Sequence, residues 1–375
     1  MSGESTSPLT DYLFYKAGQS GIPLSGTFEL TPFCNFSCPM CYVRKTAEEV
    51  KSSGRSLRTY EQWLKLAREA RDAGMLYLLL TGGEPTAWPE FWKLYEELIH
   101  MGLVVSINTN GSLLKEEAVQ KLIQLPPRRV NITLYGAGDE TYDKMCGVKG
   151  TYAAVDRAIR ELKGAGVQVK LNCSLTPLNA GDLEALTSYA KELELVLDIA
   201  TYMFPPLRRD GTQVGQNQRF TPEQSAYYRL KAYELQYDKE QYMEFLQKIQ
   251  KGSVPPPGLE EGCIDSTDGV IRCRAGKTSF WATWDGRISP CGMMTEPVLE
   301  LEDRPFPEVW EELKEISSQI RLSGVCDKCS NLQLCHSCAA MAQTETGSFS
   351  GIPSYLCAAV KEMKRLAEEQ LNVKK

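Results

Sequence analysis

The chain has 375 residues, with 48 acidic against 42 basic side chains for a formal charge of −6, and 42% of its residues are hydrophobic. At roughly 150 residues per domain this length suggests two or three folding units, and the composition is that of an ordinary globular protein rather than a disordered chain. The mild acidic excess gives no electrostatic reason to expect nucleic acid or an anionic lipid surface as a partner. The longest apolar run, residues 75–80, is far too short to cross a bilayer, and the first 29 residues lack the basic start and apolar stretch of a signal peptide. A cytoplasmic, membrane-free protein is therefore expected. In that reducing compartment 13 cysteines are not a disulfide framework, and their spacing becomes the informative feature.

Residues 1–23 read as an N-terminal extension, followed by an extended segment over 25–30. Strand and helix then alternate: strand-like runs cover 75–80, 103–108, 129–135, 167–175 and 196–203, with helical periodicity over 59–72, 88–100, 115–124, 151–164 and 180–193. Six β units in alternation with helices argue for an α/β fold, a parallel sheet curved into a partial (β/α)6 barrel over 24–220. In such barrels the chemistry sits on the loops after the strands. Three of those loops are unusual here: Cys34-Asn-Phe-Ser-Cys38-Pro-Met-Cys41-Tyr42, Thr81-Gly82-Gly83-Glu84-Pro85 and Asn108-Thr109-Asn110-Gly111. Further on, Thr221, Pro222 and Gln224 form the start signal of one helix reaching about residue 250. Residues 252–258 are too rich in Pro and Gly to stay helical, so 221–262 reads as a helical bridge and linker, 263–364 as a small cysteine-rich domain and 365–375 as a tail.

The cysteines stand at 34, 38 and 41, then at 146 and 173, then at 263, 273, 291, 326, 329, 335, 338 and 357. With His100 and His336 the only histidines, any metal must be held mainly by thiolate, and soft ligands in threes and fours select zinc or iron–sulfur clusters. A lone C-x2-C also suits structural zinc or a redox pair. The C-x3-C-x2-C triplet is more specific. Three ligands in eight residues can hold a cubane cluster with one iron left for a substrate or cofactor.

The triplet after strand one and the Gly-Gly-Glu-Pro loop after strand two resemble the radical S-adenosylmethionine (SAM) superfamily. The resemblance implies a [4Fe–4S] cluster on Cys34, Cys38 and Cys41 whose open iron is chelated by SAM. Gly82 and Gly83 would let the backbone approach the methionine moiety, Glu84 or nearby carbonyls would take its ammonium, and Pro85 completes the motif. Asn108, Asn110 and Thr133 are ribose candidates, and Met40 and Tyr42 are placed near the adenine. Both glycine-bearing loops also have a plainer reading as turns. The second cysteine group, with Gly286 between Cys273 and Cys291, resembles the SPASM pattern of auxiliary-cluster domains. This implies auxiliary cluster I on Cys273, Cys291 and Cys338, with Cys263 as a fourth ligand, and cluster II on Cys326, Cys329, Cys335 and Cys357. A pair of zinc ribbons would share these spacings but leave the first triplet unexplained.

The implied activity is reductive cleavage of SAM, fed by a flavodoxin- or ferredoxin-type donor, to a 5′-deoxyadenosyl radical that abstracts hydrogen from a substrate. SPASM relatives most often mature ribosomally made peptides by thioether or carbon–carbon crosslinks or by epimerisation. The alternatives are a dehydrogenase or epimerase of sugar- or aminoglycoside-like small molecules and, less in keeping with the motifs, a zinc scaffold without catalysis. The short stretch before strand one leaves no room for a leader-peptide domain, so leader recognition is expected at another surface or on a separate protein. Gly292 stands where anaerobic sulfatase-maturating enzymes carry a basic Asp, which disfavours that activity. Cys146, aligned where relatives often place a SAM-binding Arg, and Cys173 belong to neither cluster set; a free thiol is usually a small buried hydrophobe, and the sharper reading makes one of them a hydrogen-atom donor to a substrate radical. Arg208, Arg209 and Arg219 are candidate carboxylate ligands. Clusters of this kind demand low oxygen, which narrows the expected compartment to an anaerobic cytoplasm.

Overall fold

The computed structural model describes residues 8–205, 218–252 and 270–373. Six parallel strands follow in chain order: β1 (Ser25–Glu29), β2 (Tyr77–Thr81), β3 (Val104–Thr109), β4 (Arg129–Thr133), β5 (Val169–Ser174) and β6 (Val196–Ala200). Each pairs with the next, and helices fill the connections, as expected of a partial barrel. The alternating pleat separates two environments. Phe28, Leu80, Ile107, Ile132 and Leu171 turn outward and are fully buried against helix residues such as Trp63, Leu94 and Ile159. The alternate positions form a polar inner face. There the Asn131 side-chain amide donates to Asn108 at 2.7 Å and Lys170 pairs with Asp198 at 2.8 Å.

The cysteine-rich half is not a detached unit. Its first strand, β7 (Ser279–Ala282), pairs parallel with β1, and β8 (Arg287–Ser289) and β9 (Leu299–Glu300) extend the same sheet antiparallel, making nine strands in the order β6-β5-β4-β3-β2-β1-β7-β8-β9. Phe280 on β7 joins the barrel core, with ring centroids 6.4 Å from Phe28 and 4.8 Å from Phe306. Gly26 opposite it has no room for a side chain, because a Cβ would lie 2.6 Å from Met75 Sδ and 2.7 Å from the Phe280 ring.

Three sequence expectations need correcting. The single helix over 221–250 is two, Pro222–Gln236 and Lys239–Lys251. A second capping box restarts it: Asp238 accepts from the Gln241 backbone at 2.9 Å, and Gln241 returns the bond to the Asp238 amide at 3.2 Å. The expected tail is part of a helix, Ser354–Val373, whose Met363, Ala367 and Leu371 are buried with Tyr242, Leu246 and Ile249 in a second core. The N-terminal extension contains a helix, Pro8–Ser20, whose Phe14 stacks on Tyr77 at 5.7 Å. No helix among the described residues is long and apolar enough to cross a membrane.

Because Phe280 fills the seam between the two halves, Phe280→Ala is expected to cost about 3–5 kcal/mol, the usual range for truncating a buried aromatic. A lowered midpoint in equilibrium denaturation would show this; an unchanged midpoint would mean that the halves are not packed through this ring.

Candidate active site

The cysteine triplet occupies the loop leaving β1, at the C-terminal edge of the parallel strands. The loop after β2 is stitched to it: Gly83 donates its N–H to Thr31 O at 2.6 Å and Glu84 donates to Phe33 O at 2.9 Å. A Cβ on Gly82 would sit 2.6 Å from Thr31 O, and one on Gly83 would sit 2.3 Å from Phe33 O. Both glycines are thus required by the approach of one loop to the other, before any ligand is considered.

Glu84 or nearby carbonyls were the expected acceptors for an ammonium group, and the Glu84 carboxylate already has partners within the chain. Its carboxylate is fully buried and accepts four hydrogen bonds: from Thr86 N at 3.1 Å, Thr86 Oγ1 at 2.6 Å, Thr109 Oγ1 at 2.7 Å and Asn110 N at 2.7 Å. Burial pushes its pKa up, and these four donors pull against that rise. Glu84 therefore binds the β2 loop, with Pro85 beginning its short 3-10 turn, to the end of β3. Acceptors for a cation at this place are left to backbone carbonyls.

Asn110 is similarly committed. Its side-chain amide donates to Asn35 Oδ1 at 2.9 Å and lies 3.8 Å from Cys34 Sγ, while its Oδ1 accepts from Ser112 N at 2.9 Å and Ser112 Oγ at 2.7 Å. Asn35 in turn donates to Ser112 at 2.8 Å. Asn35, Ser112 and Thr109 escaped sequence reasoning, though the Asx-turn pattern Asn110-x-Ser112 was a readable signal. Asn108 and Thr133 stand on the inner face of β3 and β4, where Asn108 accepts from the Asn131 amide. Met40 is buried with Met145 and Met203 next to Cys38, and Tyr42 stands half-buried just past Cys41.

The three thiols share one environment. Burial pushes Cys34 up to about 12, opposed by the Phe36 N–H on its sulfur at 3.3 Å and reinforced by Glu84, Cys41 and Cys38. Cys41 Sγ accepts from Arg44 N at 3.3 Å. Cys38 is held well above its ordinary range, first by a hydrogen bond with Cys146 and then by burial. Thiols so shifted stay protonated until metal displaces the proton. Cys146 is therefore a brace of this loop: it is fully buried, ends the helix Asp139–Cys146, and its carbonyl accepts from Ser37 N at 2.7 Å. Cys173 shares the outward side of β5 with Leu171, is pushed up to about 12 by burial, and lies 3.7 Å from Asn179 Nδ2. It is buried in the core cluster, in keeping with the plainer reading of a free thiol as a small hydrophobe.

The remaining cysteines fall into two further neighbourhoods. Cys338 is pushed up to about 12 by burial and then by Cys273 and Cys291, and these three border one apolar cluster with Ile271, Met294 and Ala339. Cys335 is pushed up to about 11 by burial and then by Cys357, Cys326 and Cys329. Among the described residues no set of three or more His, Cys, Asp or Glu side chains is closed up as a metal-ion site; the thiols are grouped, not drawn together. Cys263, Arg208 and Arg209 lie outside the described residues. Arg219 is already engaged, pairing with Glu345 at 2.6 Å over the Tyr355 ring.

At Gly292 the structure supplies the reason for the missing Asp. A Cβ there would lie 2.5 Å from the Trp281 indole, whose Nε1 donates to the buried Glu29 carboxylate at 3.0 Å.

The Radical SAM superfamily profile matches residues 28–190. An AdoMet-dependent heme synthase of Methanosarcina barkeri is 25% identical over 337 residues, covering 86% of this chain and 93% of that protein. The Bacillus subtilis antilisterial bacteriocin subtilosin biosynthesis protein AlbA is 28% identical over 173 residues, covering 46% of this chain and 38% of that protein. Among solved structures, native anSMEcpe with bound AdoMet and the Cp18Cys peptide superposes with a TM-score of 0.69 at 20% identity, over 94% of this chain and 98% of that one. At that identity the likeness speaks for the fold.

Replacing Glu84 by Gln turns an amide N–H toward groups that are themselves donors, and each buried donor left unpaired costs about 1–3 kcal/mol. Glu84→Gln is expected to weaken SAM binding at least tenfold, or ~1.4 kcal/mol, in a titration of the reconstituted protein. Cys173→Ala should leave both SAM binding and 5′-deoxyadenosine formation within about twofold; equal losses in the two variants would refute the division of roles drawn here. With the cysteine loop and the Gly-Gly-Glu-Pro loop locked onto it both on the parallel barrel, residues 28–190 of this chain are a radical SAM domain.

Proposed function

We propose that the chain carries three [4Fe–4S] clusters and uses SAM to abstract hydrogen from a peptide, forming a crosslink or an epimer. The observation that carries this reading is the convergence of three loops: Cys34, Cys38 and Cys41 are held in one loop, locked by Gly83 and Glu84 to the second and by Asn110 to the third. When bound, SAM and the reduced cluster supply a 5′-deoxyadenosyl radical. The protein's share is positioning and exclusion of water. Backbone carbonyls of the Gly82–Gly83 turn would receive the SAM ammonium, Asn108 and Thr133 would face the ribose, and Met40 would shield the adenine side. The N–H groups on Cys34 and Cys41 stabilise negative charge on the sulfurs. Cys273, Cys291 and Cys338, with Cys263, would hold auxiliary cluster I; Cys326, Cys329, Cys335 and Cys357 would hold cluster II. The donor sets fit such clusters because they are all thiolate. Cys329 and Cys357 are exposed, which suits exchange of electrons with a flavodoxin- or ferredoxin-type protein. An anaerobic cytoplasm is the compartment consistent with this chemistry, and a separate leader-binding protein is compatible with it.

A second reading is favoured by one observation. Similarity to the M. barkeri heme synthase runs through both halves of the chain, whereas that to AlbA covers less than half of it. On this reading the substrate is a small carboxylate-bearing molecule such as a haem precursor.

Anaerobic reconstitution should give a brown protein with about twelve irons that forms 5′-deoxyadenosine with dithionite, and Cys34→Ala should abolish that product. Zinc in place of iron would overturn the proposal. Offering a neighbouring short peptide and a haem precursor in parallel, with mass spectrometry of each, separates the two substrates.

A further inference from the structure

We propose that Arg272 is a charged bracket between the two auxiliary thiol groups, fixing their separation and raising the potentials of the clusters they hold. This rests on the three-cluster reading above. Arg272 immediately precedes Cys273 of the first group. Its guanidinium pairs with the carboxylate of Asp327, which directly follows Cys326 of the second group. It also donates through Nη1 to Ser337 O at 3.3 Å, and Ser337 lies between Cys335 of the second group and Cys338 of the first. One side chain thus ties together three segments that carry ligands of both groups.

The chemistry of the residue suits that place. The two acceptors are met through different nitrogens, Nη1 and Nη2, which suits a planar fork of fixed donors better than a lysine point charge. The side chains of Arg272 and Asp327 are only 12% and 16% exposed, so water and salt screen their charges weakly. Reduction adds negative charge to a cluster. A nearby cation stabilises the reduced state and raises the potential, and a nearby carboxylate lowers it. Arg272 adjoins Cys273 in the chain and bonds to the segments that carry Cys326, Cys335 and Cys338, whereas Asp327 belongs to the segment of the second group.

The test is a redox titration of the holoprotein followed by electron paramagnetic resonance, with iron analysis alongside. Arg272→Gln is expected to lower both auxiliary midpoint potentials, and Asp327→Asn to raise that of the second group, with the SAM-binding cluster and SAM cleavage unmoved. Opposite signs are the mark of charge; a merely structural tie would move both variants the same way. Shifts of one sign, or none, with full iron retained overturn the bracket. Should Arg272→Gln lose iron, Asp327→Asn decides alone: a raised potential supports the assignment and an unmoved one overturns it. Wild-type protein with iron for one cluster only would sink the three-cluster reading and this inference with it.

Discussion

The buried Glu84 carboxylate is the constraint on which the site depends. An isolated ionised carboxylate is very costly to bury, and this one is offset by four donors drawn from two loops. Its own backbone N–H, with that of Gly83, holds the β2 loop against Thr31–Phe33, the approach to the cysteine triplet. Asn110 then returns from the β3 loop to Asn35 and Cys34. Three loops that are separate in sequence become one rigid edge, and rigidity at that edge is what positions a reactive cofactor within a fraction of an ångström.

The two faces of the barrel divide the remaining work. Apolar residues of β1–β5 face the helices and supply the packing, while the inner face presents amides, a Lys–Asp pair and the Trp281–Glu29 hydrogen bond. The auxiliary half is joined to the barrel by continuation of its sheet through β7. Trp281 consequently reaches both the β1 carboxylate and the backbone after Cys291. Among the described residues the two halves are joined by the shared sheet and by packed side chains such as Phe28 and Phe280.

Much of this was legible in the sequence. Alternating periodicities placed all six parallel strands within a few residues, because half-buried strands and amphipathic helices write their burial directly into residue order. The spacing set the cysteine triplet apart from the C-terminal cysteines, and among the latter Cys273, Cys291 and Cys338 border one apolar cluster while Cys335 neighbours Cys326, Cys329 and Cys357. Other features were hidden because they depend on contacts between distant segments. The contacts of Glu84 with Thr109 and Asn110, and the seat of Cys173 in the core, are of this kind. The parallel pairing of β7 with β1 joins residues some 250 positions apart and leaves no local periodic signal. The break at Asp238 was different: its capping box was there to be read, within a pattern that otherwise continued as helix.

If the locked loops form a SAM site at an iron that the triplet leaves open, adding SAM must alter one cluster and spare the others. The most direct measurement is the electron paramagnetic resonance spectrum of the dithionite-reduced protein with and without SAM. A SAM-induced change in one of the overlapping cluster signals, lost in Cys34→Ala, is expected. A spectrum indifferent to SAM in protein with its full iron content would contradict the open-iron site.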